Sequence, residues 1–500
     1  MNKTRLVLCA ALVAAAPAAS AATFTVTNLA DNGAGSLRDA IAKANQSAGA
    51  DTIAFQAGLT GTITLASGEL AVTDSLTIAG PGASKITIDA NNASRAIRLD
   101  SANPQDKAYA LSGLTIKRGK TTTVRDNDSG GGVFFELAAS SSASPPITLS
   151  DMVFADNTAE YKGGAISVNG AKLTLRNVEV RGNNASSTSA GSQSRGGGLN
   201  FSRGTVTIER SRFVDNSTSG SAGAINLESP AVSAVIVDTL LQGNQATLRG
   251  GGMTAGTMTS LQVSRSAFVD NVLNSQTEGG GIYFAGQTDA GAPVSIIENS
   301  TFSGNVSQHQ SGRGSALAVS QGRLIVRNST FAFNETSHDT APGANAGGAL
   351  WVASGNTTAV TVQSTLFAGN THGNAGQELD LTRSITSSNQ STLEVDHSSF
   401  IAMPAIGVVT TSGVGNIEVD PLLLPLTLAD GGATPVHPIP ANSPVIDAGA
   451  NPANLTTDQR GAGFARTIDF NPCHRPLVNV TDIGAYEYRG DTIFCYGFEN

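Results

Sequence analysis

An apolar residue followed three positions later by asparagine recurs eight times between residues 154 and 370. This recurrence limits the chain to folds made of repeating coils. The pairs are Phe154/Asn157, Val180/Asn183, Phe213/Asn216, Leu241/Asn244, Phe268/Asn271, Phe302/Asn305, Phe331/Asn334 and Phe367/Asn370, with successive asparagines 26, 33, 28, 27, 34, 29 and 36 residues apart. A glycine cluster leading into a short apolar run follows most of them, as in Gly163-Gly-Ala-Ile166, Gly250-Gly-Gly-Met253 and Gly279-Gly-Gly-Ile282. Between that cluster and the next repeat lies a third strand, for example Leu173-Thr-Leu175 or Val206-Thr-Ile208, whose alternation marks a half-buried face.

A coil of about three short strands cannot bury its inward side chains alone and needs neighbours ~4.8 Å above and below. Stacked coils would line up Phe154, Phe213, Phe268, Phe302, Phe331 and Phe367 as one interior ladder, with Asn157, Asn216, Asn271, Asn305, Asn334 and Asn370 at a corner. Asparagine suits that corner because it tolerates the left-handed conformation and its amide can pair with the next coil. The predicted fold is all-β, a right-handed parallel β-helix, the hand following from the general rule for parallel crossovers. Dense leucine patterns and four-strand blades of ~40 residues, which would mark leucine-rich repeats or propellers, do not match.

The N-terminus reads as an export signal: Lys3 and Arg5, an apolar run from Leu6 to Ala16, and a small-x-small site at Ala19-Ser-Ala21. Cys9 raises a lipoprotein alternative, but Leu8 stands where a small residue belongs. After cleavage two cysteines remain, Cys473 and Cys495, the expectation for an exported chain being one local disulfide. Net charge is −9 without a basic stripe, which argues against nucleic acid and anionic lipid as partners. No later apolar run is long enough to cross a bilayer.

The motifs Phe154-Ala-Asp-Asn157 and Gly163-Gly-Ala-Ile166 resemble the paired FxxN and GGA[ILV] repeats of the polymorphic outer-membrane-protein family. Gly35-Ser-Leu-Arg-Asp-Ala-Ile-Ala42 and Gly49-Ala-Asp-Thr-Ile-Ala-Phe55 are similar to the N-terminal module of exported β-helix proteins. Residues 36–44 read as a short amphipathic helix with Leu37, Ala40, Ile41 and Ala44 on one face, able to cover the open end of a solenoid. Ser443-Pro-Val-Ile-Asp-Ala-Gly449, Thr457-Asp-Gln-Arg-Gly461 and Asp482-Ile-Gly-Ala-Tyr-Glu487 resemble the choice-of-anchor Q domain, which implies surface attachment. The chain divides into a signal peptide (1–21), an N-terminal cap with first coils (22–100), the repeats (101–400), the anchor-like region (401–488) and a tail (489–500).

The same repeats hold the candidates for chemistry. Asp156, Asp215 and Asp270 each precede a repeat Asn and recur every second coil, so they would lie ~9.6 Å apart along the stack, near the upper separation of inverting carboxylates, about 9.5 Å. They are the only catalytic candidates; a solvated turn is the simpler reading, since no histidine or basic residue recurs beside them. Asp126, Asp128 and Arg125 form a lone loop group, and the six histidines, His309 and His338 among them, show no metal spacing. No cofactor or metal is expected. Asp447, Asp458, Arg460, Asp482 and Glu487 read as ion pairs tying the C-terminal region together. Tyr283 and Trp351 read as core or edge residues rather than an exposed aromatic platform.

Connection length carries the functional expectation. From repeat Asn to glycine cluster the step is 6 residues after Asn157 and Asn244 and 13 after Asn183 and Asn334. Residues 184–195, 272–278, 306–313 and 335–346 should therefore form a shared polar rim, with 138–146 and 286–293 as a second. The reading is a secreted or surface-attached monomer that binds glycans or host or neighbour-cell surface proteins. The alternative is a polysaccharide lyase or glycoside hydrolase using acids on one face, and a third is a purely structural envelope protein.

Overall fold

The computed structural model describes residues 20–99, 107–121, 130–137, 144–187, 193–274, 278–308, 312–337, 348–354, 358–373, 377–378, 380–383, 391–401, 413–468 and 480–489. The chain is a parallel β-solenoid of about 11 turns, nearly all β, in keeping with a right-handed parallel β-helix. Three sheets wall it. Among the described residues sheet A has 21 strands, sheet B 13 and sheet C 9.

One coil runs as follows. A strand after the glycine cluster and a second strand beyond it both belong to sheet A; in Ile166–Arg176, Leu199–Glu209 and Leu317–Arg327 the two merge into one. A three-residue strand such as Thr301–Ser303 then joins sheet B, with the apolar repeat residue at its centre pointing inward. A two-residue strand immediately after the Asn, such as Val306–Ser307, joins sheet C and was not anticipated from the sequence. Every pairing between coils is parallel in sheets A and B.

Register places the sheet B repeat residues in one column. Ile116 faces Phe154, which faces Val180, then Phe213, Leu241, Phe268, Phe302, Phe331 and Phe367, all essentially inaccessible. From Phe268 to Phe400 the rings stack face to face with centroids 4.6–5.1 Å apart, the separation of consecutive coils.

The asparagines form a second column. Each Asn Nδ2 donates to the Oδ1 of the next coil's Asn at 2.8–2.9 Å, from Asn157 to Asn370. The same Oδ1 also accepts the backbone N–H of the preceding coil's Asn. A second Nδ2 hydrogen bond reaches the carbonyl of the preceding coil's repeat residue, for example Asn271 to Leu241 O at 3.0 Å. Each amide is therefore satisfied without water, although every one of these asparagines is fully buried.

The left-handed residue is not the Asn but the one before it: Asp156, Gly182, Asp215, Gly243, Asp270, Gly304, Phe333 and Gly369 all have φ between 52° and 65°. This corrects the corner assignment. The Asn backbone must direct its N–H into the amide column, so the sharp turn falls one position earlier, where Asp, Gly or Asn is least strained.

A third ladder occupies the opposite corner, two residues before the sheet B apolar position. Ser211, Thr239, Ser266, Ser300, Ser329, Thr365 and Ser398 are buried there, and the hydroxyls of Ser211, Thr239, Ser266, Ser300, Ser329 and Ser398 accept a backbone N–H of the preceding coil, as in Ser266 N to Ser300 Oγ at 3.2 Å. In earlier coils Leu114, Met152 and Val178 hold the position.

The helix Leu37–Ala44 closes the N-terminal end. Ser36 caps it by accepting the Asp39 N–H, and Leu37, Ala40, Ile41 and Ala44 are buried against the first strands. Among the described residues no helix is long and apolar enough to cross a membrane.

The C-terminal residues fold back along the outer face of sheet B. Leu426 packs on Leu240, Ala267 and Val269; Asn299 Nδ2 donates to Thr457 O, Asn328 Nδ2 to Ala450 O, and the Ala485 N–H to Thr330 Oγ1. Outward residues of sheet B change accordingly. They are Glu179, Arg181 and Arg212 in coils left open, but Ala267, Thr301, Ser303, Thr330 and Ala332 beneath the returning segment.

Candidate functional site

Asp156, Asp215 and Asp270 lie in one column on the outside of the turn between sheets B and C, and all three are exposed. Each carboxylate lies over the glycine of the following coil. A Cβ at Gly182, Gly243 or Gly304 would stand 2.9, 2.3 and 2.3 Å from the Oδ1 of Asp156, Asp215 and Asp270 respectively. The alternation of Asp and Gly is thus a packing rule: a left-handed residue with a side chain needs a bare one above it. Partial burial pushes the Asp270 carboxyl upward. Among the described residues no group of three or more acidic, histidine or cysteine side chains could hold a metal ion. Arg125, Asp126, Asp128, His309, His338, Cys473 and Cys495 lie outside the described residues.

The variable connections share an origin. Sheet C strands Asn184–Ala185, Val272–Leu273, Val306–Ser307 and Glu335–Thr336 belong to one stack, and the longer connections all leave from their ends. Residues 188–192, 275–277, 309–311 and 338–347 of these connections lie outside the described residues.

Tyr283 and Trp351 point outward from sheet A, yet are only 7% and 3% exposed. With Ala285 and Ala318 they form a small apolar cluster apart from the main core, under Arg249 and Arg313, whose guanidinium groups each lie 5.0 Å from the ring centroid of Tyr283 and Trp351 respectively. They offer no open aromatic surface.

The C-terminal charges are buried rather than displayed. Arg460 donates through Nε and Nη2 to Asp458 Oδ2, through Nη1 to Asp430 and through Nη2 to the Glu487 carbonyl, between the rings of Phe464 and Tyr486. Asp482 accepts the Asp447 and Tyr488 N–H groups, and Glu487 accepts those of Ile468 and Asp482. Burial pushes the Asp482 carboxyl up to about 6 and that of Glu487 up to about 9, against the pull of Arg466. Asp458, Arg460, Asp482 and Glu487 hold a folded loop together and present nothing to a substrate.

Two polar contacts at the seam between sheet B and this segment were not singled out from the sequence. Thr301 Oγ1 donates to Gln459 Oε1 at 2.7 Å, and Ser303 Oγ lies 2.9 Å from His437 Nε2. Partners 158 and 134 residues apart leave no local sequence signal. No family model, curated protein or solved structure matches the chain. What the geometry defines is a class: a parallel β-solenoid with a helical cap, whose C-terminal segment straps the last coils.

Proposed function

We propose that the chain is an exported β-solenoid that acts at or near a bacterial surface as an adhesion or interaction protein, binding through the connections that leave the end of sheet C. The single observation carrying this reading is that connections of different length recur at one stacked edge, the end of sheet C, with a second set between the sheet A strands. A rigid scaffold carrying variable connections along a stacked edge is how repeat proteins build extended binding surfaces. The small, polar composition of 184–195 and 335–346 suits many weak contacts to glycans or to surface proteins of a host or neighbouring cell. The signal-like N-terminus, the resemblance of the repeats to polymorphic outer-membrane proteins and that of residues 443–487 to choice-of-anchor Q domains support placement at the outer membrane or outside the cell.

The rival is a polysaccharide-acting enzyme using Asp156, Asp215 or Asp270, favoured only by the raised carboxyl of Asp270. Purified protein on a glycan array and on intact bacterial and host cells, beside incubation with acidic and neutral polysaccharides, separates the two. Saturable binding without new reducing or unsaturated ends supports the proposal. Chain cleavage that disappears in Asp270→Ala or Asp215→Ala, with folding intact, overturns it.

A further inference from the structure

Ser303 and His437 meet from opposite sides of the seam. Ser303 is the outward residue at the end of a sheet B strand, and His437 belongs to the returning segment. Ser303 Oγ is 2.9 Å from His437 Nε2, while His437 Nδ1 is 2.8 Å from the carbonyl oxygen of Leu424. A carbonyl can only accept, so Nδ1 carries the proton, and in the neutral ring Nε2 turns its lone pair to the serine hydroxyl. Burial holds the imidazole below its ordinary pKa, against the smaller opposing pull of the Leu424 carbonyl, which keeps it neutral at pH 7. Hydroxyl, base and a third group fixing the base's tautomer are the parts of an activated nucleophile.

The pair is nearly buried, Ser303 6% and His437 4% exposed, beside an apolar margin. The Phe333 ring stands edge-on to His437 at 5.3 Å and is 51% exposed, and Leu424 is 43% exposed. Asp270 projects over Gly304, next to Ser303; Arg265, whose carbonyl accepts from Thr434, is paired with Asp238, and Asp430 on the returning segment is paired with Arg460. The N–H groups of Gly304 and Asn305 are already given to Ala332 O and Asn334 Oδ1, so they do not stand ready for an oxyanion. Since one such donor is worth about 10²–10³ in rate, both acylation of the serine and release of the acyl group should be slow.

We propose that Ser303, with His437 as its base, is a nucleophile that accepts an apolar acyl group from an activated ester. The Oγ–acyl carbon bond forms as the ester's acyl carbon–oxygen bond breaks. The hydroxyl proton passes to His437 Nε2 and from there to the departing oxygen, leaving an acyl-serine and an alcohol or phenol.

The full chain incubated with p-nitrophenyl butyrate tests this. The expected result is release of one equivalent of p-nitrophenol, with the butyryl mass mapped to the peptide containing Ser303. Ser303→Ala should lose the adduct while melting normally, and His437→Gln should slow acylation about 100-fold or more. Because His437→Gln removes a buried contact and can unfold the segment, the pH profile of the native chain is the second readout. Acylation should rise with pH through one inflection below about 6.5 and be flat by about pH 7, which a merely structural serine would not do. No adduct at Ser303, the same adduct in Ser303→Ala, or a rate without that inflection overturns the proposal.

Discussion

Asn370 ends the amide column on a carboxylate: its Nδ2 donates to Asp380 Oδ1 at 2.8 Å, with both residues fully buried. Every amide in the column is oriented alike, its donor toward the next coil, so Asn370 needs an acceptor, and three positions after Phe400 of the next coil stands Met403 rather than an asparagine. Asp380→Ala should cost about 1–3 kcal/mol, the usual cost of leaving a buried donor unmet. In mid-column, Asn271→Ala strands the Asn244 Nδ2 and backbone N–H and the Leu241 carbonyl together and should cost more, at least ~3 kcal/mol. Chemical denaturation of the two variants orders them.

Two glycines separate two kinds of constraint. A Cβ at Gly251 would lie 2.3 Å from the Gly280 carbonyl oxygen and 2.6 Å from the backbone of Val272, neither of which can yield without moving a coil. At Gly243 it would meet chiefly the exposed Asp215 carboxylate, and the main cost is the left-handed backbone at φ 65°, about 1–2 kcal/mol. Gly251→Ala should therefore destabilise well beyond Gly243→Ala in the same denaturation assay. Adding Asp215→Ala to Gly243→Ala should recover part of the loss, since the two side chains share one space.

Most of the coil was legible because its information is local. Phe302 and Asn305 sit three residues apart, as their counterparts do in every repeat, and stacking turns that spacing into two columns. Ser266, Ser300 and Ser329 recur as regularly, two residues before the phenylalanines, but polar residues near a turn read as solvated and their ladder went unread. The returning segment was less legible for a different reason. That Ser303 meets His437 and Thr301 meets Gln459 depends on how far the chain travels after its last coil, which no repeat encodes. The one trace is the change of outward residues in sheet B from Glu179, Arg181 and Arg212 to Ala267, Thr301 and Ala332.

Stability of the C-terminal segment should fall as pH rises. Asp482 and Glu487 have folded-state pKa values of about 6 and about 9, above their ordinary 3.8 and 4.5. The folded form therefore holds protons that the unfolded form releases, and the stability they lend is complete in acid and lost as pH climbs through those values. His437, held low by burial, acts oppositely, its contribution lost as pH drops below about 6.5. Between about pH 7 and pH 9 only the Glu487 effect should remain. Denaturation midpoints should decline over that interval in the native chain and be nearly flat in Glu487→Gln.

The truncation that leaves sheet B bare tests the strap. Ending the chain before residue 413 exposes Ala267, Val269, Thr301, Thr330 and Ala332, which are at most 3% exposed in the folded protein. Such a chain should keep its β signal in circular dichroism but bind a hydrophobic dye and self-associate in light scattering, since a flat face of small residues carries no charge to prevent it.

Shortening the connections tests the functional account most directly. Residues 188–192, 275–277, 309–311 and 338–346 would be shortened, sparing Ser194, Arg195, Glu278 and Arg313, which bridge or pair with neighbouring coils. The prediction is an unchanged far-ultraviolet spectrum and melting curve together with loss of binding to the glycans or cells that retain the native protein. Undiminished binding by the shortened chain would contradict it.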